Sequence, residues 1–203
     1  MFNDRFGLTD AVLEGRKIVT RRIVPDKILE EYYIYDDWCL SVGVSGCGDV
    51  ERQYNNLSEF IIGERWLPYQ VGEIVAISQS MRNVCSGSDL DIRFLEIAYG
   101  AAWNNKMFVK ASLMPHQIQM LDVRVERLQD ITDEDCIKEG IQADEDNYFF
   151  RYDPKGDFIF TSPIDAFSEL IDKVSKKGTW ESNPYVFRYE FKLLTGTDLK
   201  VKV

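Results

Sequence analysis

The chain has 203 residues, 45% hydrophobic and 29% charged, with 12 Phe, 10 Tyr and 4 Trp; that is one ordinary folded domain, and the aromatic content excludes a disordered chain. Its formal net charge of −10 argues against a protein held to nucleic acid or to an anionic membrane by bulk electrostatics, while leaving room for a local basic site. No stretch approaches the roughly 18 apolar residues of a membrane span, and the start, Met1-Phe2-Asn3-Asp4-Arg5, lacks the apolar run of a secretory signal, so a cytoplasmic, membrane-free protein is expected.

In chain order, Thr9 is placed to cap a short helix carrying Ala11, Val12 and Leu13, and Gly15 sits where a left-handed closing residue belongs. A basic, β-branched segment follows, Arg16-Lys17-Ile18-Val19-Thr20-Arg21-Arg22. Residues 26–57 read as an irregular insertion, glycine-rich after residue 42, with short strands near Trp38–Val42 and Ser58–Ile62. The turn Pro68–Glu73 leads into a buried strand at Ile74–Ile77, and a second irregular insertion covers 80–106. Gln117–Leu128 reads as a long strand whose apolar parity switches between Met120 and Val123, which predicts a bulge near Leu121. Thr132 caps an acidic helix, Asp133–Glu139, stopped by Gly140. Ser162-Pro163 opens a helix with the stripe Ile164, Phe167, Leu170, Ile171 and Val174, and Tyr185–Leu193 alternates as a strand. The pattern predicts a single α+β domain over 1–203, with a curved or closed mixed sheet.

Several chemistries lack their residues. Cys39, Cys47, Cys85 and Cys136 form no C-x-x-C pair, and His116 is the only histidine, so neither a Cys/His metal site nor a two-histidine metalloprotease is expected. A Ser-His-Asp or Cys-His enzyme would have to be built on His116 alone.

The densest signal is Gly15–Arg22. Read plainly it is a basic edge strand, since lysine discourages edge pairing; read functionally, Lys and Arg converge beside a hydroxyl to hold an anion or a polar ring. Gly15-x-Lys17-x-x-Thr20-x-Arg22 resembles the G-x-K-x-x-T-x-R signature of the ASCH domain, a PUA-like fold associated with RNA and nucleoside chemistry. The helix ending in Leu13-Glu14-Gly15, the turn Tyr69–Glu73, the segment Asp122–Gly140 and the strand Tyr185–Leu193 fall in the family's order. The whole is most similar to the longer ASCH-like proteins of phages and prophages. The resemblance implies a PUA-like mixed β-barrel with short peripheral helices, covering the chain apart from the insertions at 26–57 and 80–106.

Small bacterial ASCH proteins include 4-acetylcytidine amidohydrolases with a Lys, Thr and Glu catalytic set. Carried over, these are Lys17, Thr20 and Glu139, the last placed by its spacing from Thr132, with Glu134 and Asp135 as nearby competitors for that position. Thr20 would be the nucleophile or orient water. Lys17 would be the base, its pKa lowered by burial or by Arg16, Arg21 and Arg22; Glu139 would orient Lys17 or pass a proton to the leaving amine. Arg22 and Arg21 would hold a carbonyl or phosphate oxygen. In a regular strand Lys17 and Thr20 face opposite sides, so a shared role requires an irregularity between them. Gln79, Tyr69 and Trp180 are candidate contacts to a base; each also has a structural reading, Trp180 as a loop residue closing the core. The cluster Tyr32, Tyr33, Tyr35 and Trp38 either covers the site or fills a side core. The expected function is a hydrolase of an acylated nucleoside without metal or cofactor. The alternatives are a module that binds RNA or a modified base at Arg16–Arg22 without turnover, and a ribonuclease.

Overall fold

The computed structural model describes residues 2, 4–41, 53–86, 89–153, 156 and 158–194. A 3-10 turn at Asp4–Phe6 leads into α1 (Leu8–Leu13). Gly7, at φ 64°, precedes its first turn; Thr9 is not the cap but lies one residue inside, its hydroxyl donating to the Asp4 carboxylate. Gly15, at φ 75°, ends the helix as expected. Then come β1 (Val19–Ile23), α2 (Asp26–Ser41), α3 (Leu57–Gly63) and β2 (Ile74–Ala76). Next are α4 (Met81–Val84), α5 (Ile92–Tyr99), α6 (Ala101–Asn104), two 3-10 turns and β3 (Gln117–Arg127). The chain continues through α7 (Asp133–Lys138), β4 (Gln142–Ala143), β5 (Phe150–Arg151), α8 (Pro163–Val174), α9 (Thr179–Ser182) and β6 (Tyr185–Leu194). No helix among the described residues is long and apolar enough to cross a membrane.

The architecture is α+β. The main sheet has the order β1-β6-β3-β2, with β4 and β5 forming a separate ribbon, and every pairing between described strands is antiparallel rather than mixed. The register of β3 on β6 shifts between Met120 and Asp122, the bulge expected there, and leaves Leu121 unpaired and exposed. Bulges raise local twist, and the sheet curls until Thr20 and Arg22 of one edge strand and Val75 and Ala76 of the other line one small chamber over Tyr189. It is an antiparallel half-barrel with β1 and β2 as its edges.

β6 lies at the centre and is buried on both faces. Phe187, Tyr189 and Phe191 fill the apolar side, while Val186 and Arg188, read from the sequence as the outer side, are also buried; Arg188 meets Asp135 of α7 there. α8 lays Phe167, Leu170 and Ile171 into the core, with Ser162 Oγ accepting the Asp165 N–H at 3.4 Å at its start.

Both insertions contain helices. Instead of a strand near Trp38–Val42, α2 runs to Ser41; Val42 and the glycine-rich stretch with Cys47 lie outside the described residues. Ile28, Tyr32, Tyr35 and Cys39 form a helical stripe, and Tyr32 and Tyr35 pack on Phe60 at 5.5 Å between ring centres. Ile28, Tyr32 and Tyr35 thus join the main core instead of a separate side core, while Tyr33 and Trp38 are exposed. Instead of a strand at 58–62, α3 starts from Asn56, whose side chain accepts the Glu59 N–H at 3.0 Å, and buries Leu57, Phe60 and Ile61 at helical spacing. In the second insertion, α4, α5 and α6 close a small lobe around Met81, Leu95 and Trp103.

Candidate functional site

Two local devices carry Lys17 to Glu139. Thr132 caps α7, accepting the Asp135 N–H at 3.2 Å, and Gly140 closes it at φ 106°, leaving the last carbonyls of the helix without intrahelical donors. The chain leaving α1 supplies them. Ile18 N–H donates to the Lys138 carbonyl at 2.9 Å, and Lys17 Nζ donates to the Glu139 carbonyl at 2.7 Å. A second Nζ donor goes to the Glu139 carboxylate. The ammonium therefore also sits at the negative end of the helix, where a cation is favoured.

Arg21 extends the cluster. Its guanidinium reaches Glu139 at 3.2 Å, Glu126 at 2.9 Å and Asp135 at 2.5 Å. Asp135 is gripped from its other side by Arg188, with N–O distances of 3.0 and 3.1 Å. Burial lowers the pKa of Lys17; Glu139 opposes that shift in part, and Arg22 and Arg21 reinforce it, so the net direction is down. Burial pushes the Asp135 carboxyl up, but hydrogen bonds from Arg188 and Arg21 more than offset it and hold the group down at about 2. Arg21 and Arg188 are both raised, the first against burial by Glu139, Asp135 and Glu126, the second chiefly by Asp135. Cys136, beside them, has its thiol pushed up to about 12 by burial, which removes it as a thiolate nucleophile.

A cleft of about 670 Å³ opens against this cluster, along the edge of β1. The bonds Phe191 N–H to Ile18 O and Val24 N–H to Tyr185 O, each 2.9 Å, set the pairing of β1 with β6; by alternation the backbone groups of Val19, Arg21 and Ile23 point to the open edge. Lys17, Thr20, Arg21, Arg22 and Glu139 all line the cleft. The opposite-sides problem is met at this edge. Lys17 precedes the strand and shares the Arg21 side with Glu139, Thr20 and Arg22 share the other, and a cleft lying along the edge is lined from both. α8 supplies an apolar wall of Phe167, Leu170, Ile171 and Val174.

The structure thus brings together Lys17, Thr20, Glu139, Arg21 and Arg22. Tyr69 lies next door, lining the small inner chamber with Thr20, Arg22 and Tyr189, its ring edge-on to Tyr189 at 5.7 Å. Gln79 and Trp180 line neither space. Gln79 is buried with its Oε1 lacking a hydrogen-bond partner among the described residues. Trp180 stands edge-on to Phe167 at 6.3 Å, with its backbone N–H donating to Asp172 at 2.8 Å; that is the core-closing arrangement. Arg16 pairs with Glu14 at the surface.

Sequence reasoning missed Arg188, Glu126 and Tyr189, and named Asp135 as a competitor for the place of Glu139. An arginine on an otherwise buried strand was the available signal for Arg188. Among the described residues no group of three or more His, Cys, Asp or Glu has the placement to hold a metal ion. Comparison of the chain with protein-family models, with curated proteins and with solved structures gives no match.

Proposed function

We propose that this is an ASCH-type, PUA-like protein that hydrolyses the amide of an acylated nucleoside of the 4-acetylcytidine kind. The observation that carries the reading is the buried Lys17–Glu139 pair beside Thr20 on the wall of the cleft. Burial disfavours the ammonium form of Lys17, which is what a lysine general base requires. Two of its three donor directions are spent on Glu139, leaving one side of the nitrogen for the reaction.

Neutral Lys17 takes a proton from water held by the Thr20 hydroxyl, and the water oxygen adds to the amide carbon. Arg22, also lining the cleft, stabilises the oxyanion. As the C–N bond breaks, the proton held by Lys17 passes, with Glu139 as relay, to the departing amine. The acyl group leaves as a carboxylic acid and the base regains its amino group, so one water is consumed and Lys17 is restored. The net charge of −10 weighs against the alternatives that need long RNA.

The test is release of cytidine from 4-acetylcytidine, followed by chromatography, in wild type, Lys17→Ala and Thr20→Ala. Lys17 is buried in an ion pair, so its variant also loses stability; Thr20 is half-buried, and its variant should melt within a few degrees of wild type. Turnover in wild type and none in a folded Thr20→Ala is the expected result. Absence of wild-type turnover, or full turnover in Thr20→Ala, overturns the reading.

A further inference from the structure

Among the described residues, two buried side-chain polar atoms lack a hydrogen-bond partner, Gln79 Oε1 and Tyr189 Oη. Tyr189 stands on the central strand β6, is 1% exposed, and lines the small chamber between the two sheet edges. The Tyr69 backbone N–H approaches the phenol oxygen without completing a hydrogen bond, and as a donor it could not take the phenol's proton in any case. Burial raises the phenol pKa above its ordinary value, so the group keeps that proton at neutral pH. A buried donor left unpaired is unfavourable. The ring is nevertheless held where it is, edge-on to Tyr69 at 5.7 Å and 6.1 Å from the ring of Phe187. The chamber is a side room of the cleft, since Phe2, Thr20 and Arg22 line both. Past Thr20 its walls are apolar, with Val75 of β2 facing Ile118 and Met120 of β3. Its volume is about 30 Å³, against about 670 Å³ for the cleft. A water-sized group takes up roughly 10–15 Å³ of such a space, so about two fit.

We infer that the chamber receives the acyl group of the substrate amide, an acetyl by its size, with the Tyr189 O–H donating to the acyl oxygen and the nucleoside left in the cleft. This rests on the reading of the cleft as a site for an acylated nucleoside and names which acyl group it takes. Past its carbonyl carbon an acetyl group carries a methyl and an oxygen. The apolar walls suit the methyl, and the unspent phenol proton suits the oxygen. The carbonyl carbon is then left at the mouth, beside the Thr20 hydroxyl, and Tyr189 joins Arg22 as a donor to the oxyanion. A propionyl group adds a carbon for which the chamber has no room, and an aromatic acyl group does not enter.

The experiment is isothermal titration of cytidine and its 4-acetyl, 4-propionyl and 4-benzoyl derivatives into Thr20→Val. That variant keeps the shape of the mouth and lacks the hydroxyl that hydrolysis uses, so the ligands persist; if chromatography shows them consumed, kcat/KM over the acyl series is read instead. 4-Acetylcytidine should bind about fivefold or more tightly than cytidine, and about tenfold or more tightly than the propionyl and benzoyl derivatives. Adding Tyr189→Phe should remove most of the advantage over cytidine while leaving the melting temperature unchanged or higher, because it deletes an unpaired buried hydroxyl. If that variant does not fold, Val75→Ala carries the test: it enlarges the chamber and should raise propionyl affinity relative to acetyl, and an unchanged ratio overturns the inference. So does an acetyl derivative that binds no better than cytidine, or larger acyl groups that bind as well as acetyl. An acetyl advantage that survives in Tyr189→Phe also overturns it, as a chamber that stores only a water predicts. Because the readout is binding, an acetyl preference without wild-type hydrolysis would sink the hydrolase reading and leave the acyl chamber standing; hydrolysis of all acyl lengths alike would do the reverse.

Discussion

Replacing Glu139 by Gln removes the charge that faces Lys17 and keeps the shape. Lys17 would then retain its 2.7 Å bond to the Glu139 carbonyl but would be a buried ammonium beside a neutral amide. Breaking one side of a buried ion pair costs about 3–5 kcal/mol. An independent limit comes from the escape route, since Lys17 can fold without its proton. Discharging a lysine of ordinary pKa at neutral pH costs about 4–5 kcal/mol, at roughly 1.4 kcal/mol for each pH unit below that pKa. The two figures agree, and the second fixes the pH dependence. In the variant the unfolded chain binds one more proton than the folded one, so its stability rises with pH, and the cost of discharging Lys17 falls to about 2 kcal/mol by pH 9. For a chain of 203 residues each kcal/mol moves the melting temperature by about 2–4 °C, so the loss near neutrality is about 10 °C. Thermal unfolding followed by circular dichroism on wild type, Glu139→Gln, Lys17→Met and the double variant measures it. The double variant should cost at least about 1 kcal/mol less than the sum of the singles. Additive costs, or a Glu139→Gln loss that is small and the same at both pH values, would refute the reasoning.

Asp135 gives the opposite pH signature. Its folded pKa is depressed to about 2 from an ordinary value of 3.8, so its contribution is present in full above pH 4 and is lost as pH falls from 4 towards 2. Asp135→Asn should flatten that limb of an acid-unfolding curve and cost about 1–2 kcal/mol at neutral pH, allowing for solvent screening of a partly exposed carboxylate; an unchanged acid limb would count against the Arg21–Asp135–Arg188 arrangement. Gly140→Ala tests the helix end that presents Glu139. An added Cβ would find only ordinary contacts, the nearest being Lys17 Cβ at 3.5 Å, so the cost is that of the φ of 106°. It should be about 1–2 kcal/mol, read as a melting temperature lower by several degrees.

What was legible in the sequence was local. The alternation of β6, the parity switch at Leu121, the Ser162-Pro163 start of α8 and the Thr132–Gly140 limits of α7 each depend on residues a few positions apart, and each is found in the structure. α2 was hidden because exposed Tyr33, Ile34 and Trp38 interleave with its buried stripe and blur the helical period. α3 was read as a strand because Phe60-Ile61-Ile62 looks β-branched and apolar, whereas the Asn56 cap decides for a helix. The site depends on distant pairs. Lys17 and Glu139 are 122 residues apart and Asp135 and Arg188 are 53 apart, and no local period encodes either meeting. The motif drew attention to Lys17, Thr20 and Arg22. Arg21, between them, was grouped with Arg22 as a ligand contact, yet on the alternate face it is spent on three carboxylates.

That division explains how an acidic chain holds a basic cleft. Lys17, Arg21 and Arg188 would repel one another if buried together without counter-charge, and burial alone would discharge the lysine. Acids of α7 and of β3 meet this need directly: Glu139 takes Lys17 and Arg21, Asp135 takes Arg21 and Arg188, and Glu126 takes Arg21.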